Sequence, residues 1–150
     1  MRRSRWWPSS AARCRPEPSG RGVQYSPALI EHFRNPRNAG MMRDPDGVGE
    51  GEYKDCMDLV RFHLRVTRGR VVEARFQAYG CGPTIAAASA ATLVVEGASL
   101  DEVLELPAER IEAAVGGLPE ARRHAAEVAM LGLHAAARDA LGRTRSERHA

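Results

Sequence analysis

The clearest order in the chain is a strict two-residue alternation. Val60, Phe62, Leu64 and Val66 alternate with Arg61, His63, Arg65 and Thr67. After Arg68-Gly69, Val72, Ala74, Phe76 and Ala78 alternate with Glu73, Arg75, Gln77 and Tyr79. Period two sends successive side chains to opposite faces, and a short glycine-containing link joins antiparallel neighbours. The pattern predicts a hairpin, at about 58–67 and 71–79, with one buried face. His63 falls on the outer face and is expected to be solvated.

Either side of the hairpin the period changes. Ser26 is a suitable N-cap with Pro27 at the first helical position, and Leu29, Ile30 and Phe33 form an apolar face. That helix must stop near Asn35-Pro36, because the residue before proline avoids the helical region. Arg37 to Glu52 is rich in Gly, Asp and Pro and reads as an exposed loop. Beyond the hairpin, Pro83 opens a helix of small residues, Ile85 to Ala91, that Gly97 ends. Ser99-Leu100-Asp101-Glu102 is a capping box for a short helix. Pro107 opens another, which stops at Gly116-Gly117. Leu118-Pro119 begins the last long helix, with Val128, Leu131, Ala135 and Leu141 among its apolar positions, and the chain from Arg143 is polar and expected to fray. A helix, a hairpin and then several helices predict an α+β fold, with helices against a small antiparallel sheet.

Composition narrows the class. The 150 residues are 43% hydrophobic but only 5% aromatic, which suits one domain with a core of Ala, Val, Leu and Ile. Residues 1–23 form an Arg-rich tail without apolar periodicity, 24–142 the folded domain and 143–150 a polar C-terminal tail. The net charge of +3 conceals interleaved acids and arginines, with Lys54 the only lysine, so no nucleic-acid surface is expected. The longest apolar run, Ile85 to Val95, is too short to span a bilayer, so no membrane segment is expected either. Three cysteines, Cys14, Cys56 and Cys81, argue against a disulfide framework and for a reducing interior. The reading is a cytoplasmic protein, with an organellar matrix as the alternative if the tail is a transit peptide. Cys14, on the tail, is read as a bystander.

The chemistry gathers at the open end of the hairpin. Cys81 lies between Gly80 and Gly82, where a strand gives way to a helix, and free amides and the helix dipole there favour thiolate. Cys56 and Asp58 are two apart where the first strand begins, so they share a face. The start of one strand and the end of its partner meet, so Cys56, Asp58 and Cys81 are expected to converge. Two thiolates, a carboxylate and an imidazole suit zinc or an iron–sulfur cluster. His32, His124 and His134 compete for the fourth place, and spacing does not choose among them.

These motifs resemble the IscU/NifU-type iron–sulfur cluster scaffold family. Tyr25-Ser26-Pro27 through Asn35-Pro36-Arg37-Asn38-Ala39-Gly40 is similar to the family's opening, and Cys56-Met57-Asp58 to its first Cys-Gly-Asp site. Ala74 to Gly82 is similar to its second cysteine segment, and Ser99-Leu100-Asp101-Glu102 also fits. The resemblance covers about residues 25–142. It implies a non-enzymatic scaffold that receives sulfur from a cysteine desulfurase, receives iron, and builds a labile [2Fe-2S] cluster for acceptor proteins. The ligands it implies are Cys56, Asp58, Cys81 and His124, for a cluster, iron or zinc, with Cys81 or Cys56 as persulfide acceptor. A homodimer sharing one cluster is left open.

The chain departs from the family in two places. The family's third cysteine directly follows the histidine, and here Ala125 stands in its place. The Leu-Pro-Pro-Val-Lys segment read by an Hsp70-type chaperone has become Leu118-Pro119-Glu120-Ala121-Arg122, which counts against that partner. Two alternatives follow. One is a zinc-containing sulfur-transfer accessory of a desulfurase, similar to the SufU relatives, although those lack the histidine. The other is a non-catalytic partner that keeps the fold without a working metal site. A thiol hydrolase built on Cys81 lacks an identifiable third member and ranks last.

Overall fold

The computed structural model describes residues 25–149, with side chains to Thr144. The N-terminal tail with Cys14 lies outside the described residues. Helix α1 (Pro27–Arg34) is capped by Ser26, whose hydroxyl accepts from Leu29 N–H at 3.0 Å and donates to the Val115 carbonyl. Strands β2 (Asp58–Thr67) and β3 (Arg70–Tyr79) form the expected hairpin, turning at Arg68 and Gly69, both with positive φ. Helix α2 (Gly82–Val95) follows, then the short α3 (Leu100–Leu104) and α4 (Ala108–Ala114). The Ser99–Glu102 capping box forms in full. The last long helix does not begin at Leu118-Pro119. A single 3-10 turn (Glu120–Arg122) intervenes, and α5 runs from His124 to His149, past the point where fraying was expected. Arg143 is tied down there, pairing with Asp139 at 3.0 Å and donating to the Pro45 carbonyl at 3.1 Å.

The segment read as an exposed loop contains a strand. Residues Gly47–Tyr53 form β1, antiparallel to β2, and complete a three-stranded sheet in the order β1-β2-β3. Its inward positions are Gly47, Gly49 and Gly51, which carry no hydrophobic signal. They are glycines because α5 lies directly on them. A Cβ on Gly47 or Gly49 would collide with the backbone at Ala136, and one on Gly51 with Val128 and Gly132. The approach is mutual, since a Cβ on Gly132 would come within 3.2 Å of Gly51 N and 2.8 Å of the Phe62 ring.

Val60, Phe62 and Leu64 of β2 are fully buried beneath α2 and α5, together with Val128 and Leu133 of α5 and Ile111 of α4. Burying each such side chain stabilises the fold by about 1.5–3 kcal/mol. The small residues of α2 are enclosed on all sides, Ala86 to Ala88, Ala90 and Ala91 being at most 1% exposed. Its two buried hydroxyls hold the loop after α1. Ser89 accepts from Arg37 N–H at 2.8 Å and lies 2.8 Å from His32 Nδ1, while Thr92 accepts from Asn38 Nδ2 at 3.0 Å.

Five side chains differ from the expected facing. The register shifts between Arg65 and Val66, with Arg65 opposite Glu73 and Val66 opposite Val71. Val72 is therefore a bulge residue and is exposed, while Val71 takes the core place. His63 is buried rather than solvated. The chain from Gly40, bonded to Phe76 on β3, to Asp46, bonded to Leu64, crosses the outer face and covers it. His63 Nε2 meets Gln77 Oε1 at 3.3 Å. Ile30 and Phe33 are substantially exposed, leaving Leu29 as the core contact of α1, and Leu131 is exposed while Leu133 is buried.

The glycine row gives a direct test. Gly49→Ala should destabilise the fold by about 3 kcal/mol or more, the upper end of overpacking costs, because both colliding partners are backbone. Gly142, in α5 with open space around it, should instead gain up to about 1 kcal/mol as alanine. Denaturant unfolding of the two variants checks both signs.

Candidate metal centre

The hairpin's open end places Asp58 at the start of β2 and Cys81 just beyond the end of β3. Leu59 pairs with Tyr79, so Asp58 comes alongside Gly80. Gly80 has φ +153°, and a Cβ on it would occupy the position of the Asp58 carboxylate. Only glycine lets that carboxylate turn inward. There it accepts the Cys81 N–H at 3.2 Å and is 2% exposed.

Helix α5 brings the third component. His124 is its first residue, and Nε2 lies 2.8 Å from Asp58 Oδ2. The imidazole stacks on Tyr53 at the end of β1, with centroids 4.4 Å apart and planes 18° from parallel. One ligand atom each from Cys56, Asp58 and His124 lies within 4.8 Å of the other two. Cys81 stands beside this trio, joined through its N–H on Asp58 and a side-chain hydrogen bond with His124. Its Sγ is 3.2 Å from Thr84 Oγ1.

The other two histidines that competed for the fourth place have structural work elsewhere. His32 pairs with Ser89, and burial, then Arg37, hold its imidazole below the usual range. His134 donates from Nε2 to the Leu106 carbonyl at 2.9 Å. Sequence reasoning missed Tyr53 and Thr84. Only the period-two run Gly47, Gly49, Gly51, Tyr53 offered a sign of the first.

Electrostatics couple the cluster. Burial opposes a charge on His124, but its hydrogen bonds to Asp58 and Cys81 outweigh it and raise the imidazole to about 9. Burial also opposes the Cys81 thiolate, and the hydrogen bonds from His124 and Thr84 outweigh that, bringing the thiol below its ordinary range. Without metal, the centre is an imidazolium between a carboxylate and a low-pKa thiol. Cysteine sulfur, carboxylate and imidazole are the donor types of zinc and iron–sulfur sites, and here one of the sulfurs, that of Cys56, is held in a disulfide. Tetrahedral ligands on bonds of about 2.0–2.3 Å stand roughly 3.6 Å apart, so the atoms of Cys56, Asp58 and His124, within 4.8 Å of one another, need only a small closure.

Met57, between Cys56 and Asp58, has φ +58°, a left-handed conformation costly for a side chain of its size.

Comparison with known proteins places the chain in a family. Residues 24–147 match the NifU-like N-terminal domain. The chain is 44% identical over 118 residues to a bifunctional NifU/MnmA protein of Rubrobacter xylanophilus, aligning 77% of itself with 24% of that protein. It is 36% identical over 105 residues to the iron–sulfur cluster assembly scaffold protein IscU 1 of Archaeoglobus fulgidus, aligning 70% of itself with 69% of that protein. The chain thus spans about a quarter of the first relative's length. Its fold is similar to the crystal structure of an N-terminal NifU-like protein of Brucella abortus, with TM-score 0.64 at 20% identity, covering 78% of this chain and 94% of that one.

Two outcomes are expected of the metal-free chain. Met57→Gly should raise its stability by about 1 kcal/mol, relief of a left-handed side chain less the added freedom of the unfolded glycine, read as a rise in Tm. The His124 imidazole should titrate near 9 by NMR and fall toward its ordinary value in Asp58→Asn. Since its folded pKa lies above the unfolded value of about 6.5, the stability it contributes is complete below that pH and lost as pH rises toward about 9. The stability difference between wild type and His124→Gln should shrink across that window.

Proposed function

The chain belongs to the NifU-like N-terminal domain family, and from that premise we propose that it is an iron–sulfur cluster scaffold. Cys56, Asp58, Cys81 and His124 hold a labile [2Fe-2S] cargo that passes to acceptor proteins. The observation that carries the reading is the meeting of Cys56, His124 and the Cys81 N–H around one buried carboxylate. The donor chemistry suits a cargo that must leave. Thiolates bind iron strongly, while a carboxylate is an exchangeable ligand whose strength is set by its hydrogen bonds. Zinc or iron alone fits the same four groups.

The depressed Cys81 thiol favours a second role within the same function, as acceptor of sulfur from a cysteine desulfurase. Its thiolate attacks the outer sulfur of the donor's persulfide. The donor S–S bond breaks, its electron pair leaves on the donor thiolate, and Cys81 becomes the persulfide with no net oxidation. Thr84 and His124 are placed to hydrogen-bond the attacking sulfur.

Anaerobic incubation with ferrous iron and sulfide should give visible charge-transfer absorption and acid-labile sulfide. Both should be lost in Cys81→Ala. A colourless wild-type product, or a Cys81→Ala variant that colours equally, rejects cluster binding.

A further inference from the structure

A cavity of about 430 Å³ opens beside Cys81, on the side toward α1. One wall is the apolar face of α1, with Leu29, Ile30 and Phe33, the last two partly exposed. Another is the start of α2, from Cys81 to Pro83. The remaining wall carries Arg122, on the 3-10 turn two residues before His124.

Arg122 is the unexplained group. It is 5% exposed, and its Nη1 is enclosed with no hydrogen-bond partner among the described residues. It forms none of the ion pairs found among them. A guanidinium stays charged at any physiological pH, and an enclosed charge without a counter-ion is strongly unfavourable. The other arginines with charged partners pair with acids that are at least partly exposed, so this one is set apart by its burial. The 14-residue helix α2 directs its positive end to the same cavity, and its N-cap residue, Cys81, makes no side-chain cap. Asp58 already meets the Cys81 N–H at that helix end, so it is the unpartnered guanidinium that calls for a further negative charge.

The walls limit what the anion is. One guanidinium among apolar side chains balances one negative charge, and a doubly charged phosphate would bring a second into an apolar surround. The guanidinium fork matches the two oxygens of a carboxylate. The volume lies within the range of small-molecule pockets, and α1 supplies a hydrocarbon surface. We propose that this cavity binds a small apolar monocarboxylate. Its carboxylate lies on Arg122 and the start of α2, and its hydrocarbon on Leu29, Ile30 and Phe33, next to the Cys81 thiol. The site needs no metal, so it stands or falls separately from the cluster reading.

Alkylation of Cys81 tests it, because iodoacetate and iodoacetamide differ chiefly in the carboxylate. Rates are read on the Cys81 peptide by mass spectrometry, so the other cysteines do not contribute. The iodoacetate rate should saturate with concentration, and isovalerate should slow it where equal chloride does not. Arg122→Gln should lower the iodoacetate-to-iodoacetamide ratio about five-fold, the scale of one charge-assisted hydrogen bond, and Arg122→Lys should keep part of it. An iodoacetate rate that rises linearly and ignores isovalerate overturns the proposal, as does an unchanged ratio in Arg122→Gln. Should that variant fail to fold, saturation and competition in the wild type decide alone.

Discussion

The arrangement of this protein depends on one buried carboxylate. Asp58 is almost wholly removed from water, and an isolated carboxylate there would either protonate or cost several kcal/mol. Two segments far away in sequence supply it with donors. Cys81 gives a backbone N–H from the start of α2, and His124 gives an imidazolium from the start of α5. Gly80 makes the room, since any side chain there would occupy the carboxylate's place. Three element ends thus meet at one point for an electrostatic reason, and the cysteines arrive as their neighbours.

The distance at which His124 arrives is set by a different contact. Helix α5 rests on the backbone of β1, where Gly47, Gly49 and Gly51 face Ala136, Ala135 and Gly132 with no room for a Cβ on the strand. Such a seat fixes the separation of helix and sheet more tightly than interlocking side chains, which can change rotamer. The same strand ends in Tyr53, whose ring lies flat against His124. One strand therefore sets both the position of the helix and the plane of its first side chain. A change in that glycine row would act on the centre without touching a candidate ligand.

Legibility in the sequence followed the physics of each feature. The hairpin was plain because its inward residues are large and apolar. That Cys81 would adjoin Asp58 followed from the pairing geometry of the hairpin, and the Cys81 N–H does meet that carboxylate. Strand β1 was missed because its inward residues are glycines, whose period two carries no hydrophobicity. His124 could not be chosen over His32 for the same reason, since the seat of α5 is made of absent side chains. His63 was misplaced because its burial comes from the loop crossing the outer face. Val72 was misplaced because a bulge, which the alternation does not show, reverses the facing of one residue. The resemblance to a known family supplied His124, which periodicity could not.

The four residues 122–125 show how closely the centre is woven into the fold. Arg122 faces the cavity, Arg123 pairs with Glu112 at 3.3 Å, His124 meets Asp58, and Ala125 is fully enclosed in the main core. Each side chain has a different destination within little more than one helical turn. The core is packed around a methyl group at residue 125, so a thiol introduced there would have to displace neighbours as well as add a ligand. Restoring the family's third cysteine is therefore a packing problem before it is a question of coordination. Cys81 is left with a carboxylate and an imidazolium on one side and a buried guanidinium across the cavity on the other. Its thiolate form is favoured by the hydrogen bonds with His124 and Thr84, which outweigh both burial and the Asp58 charge.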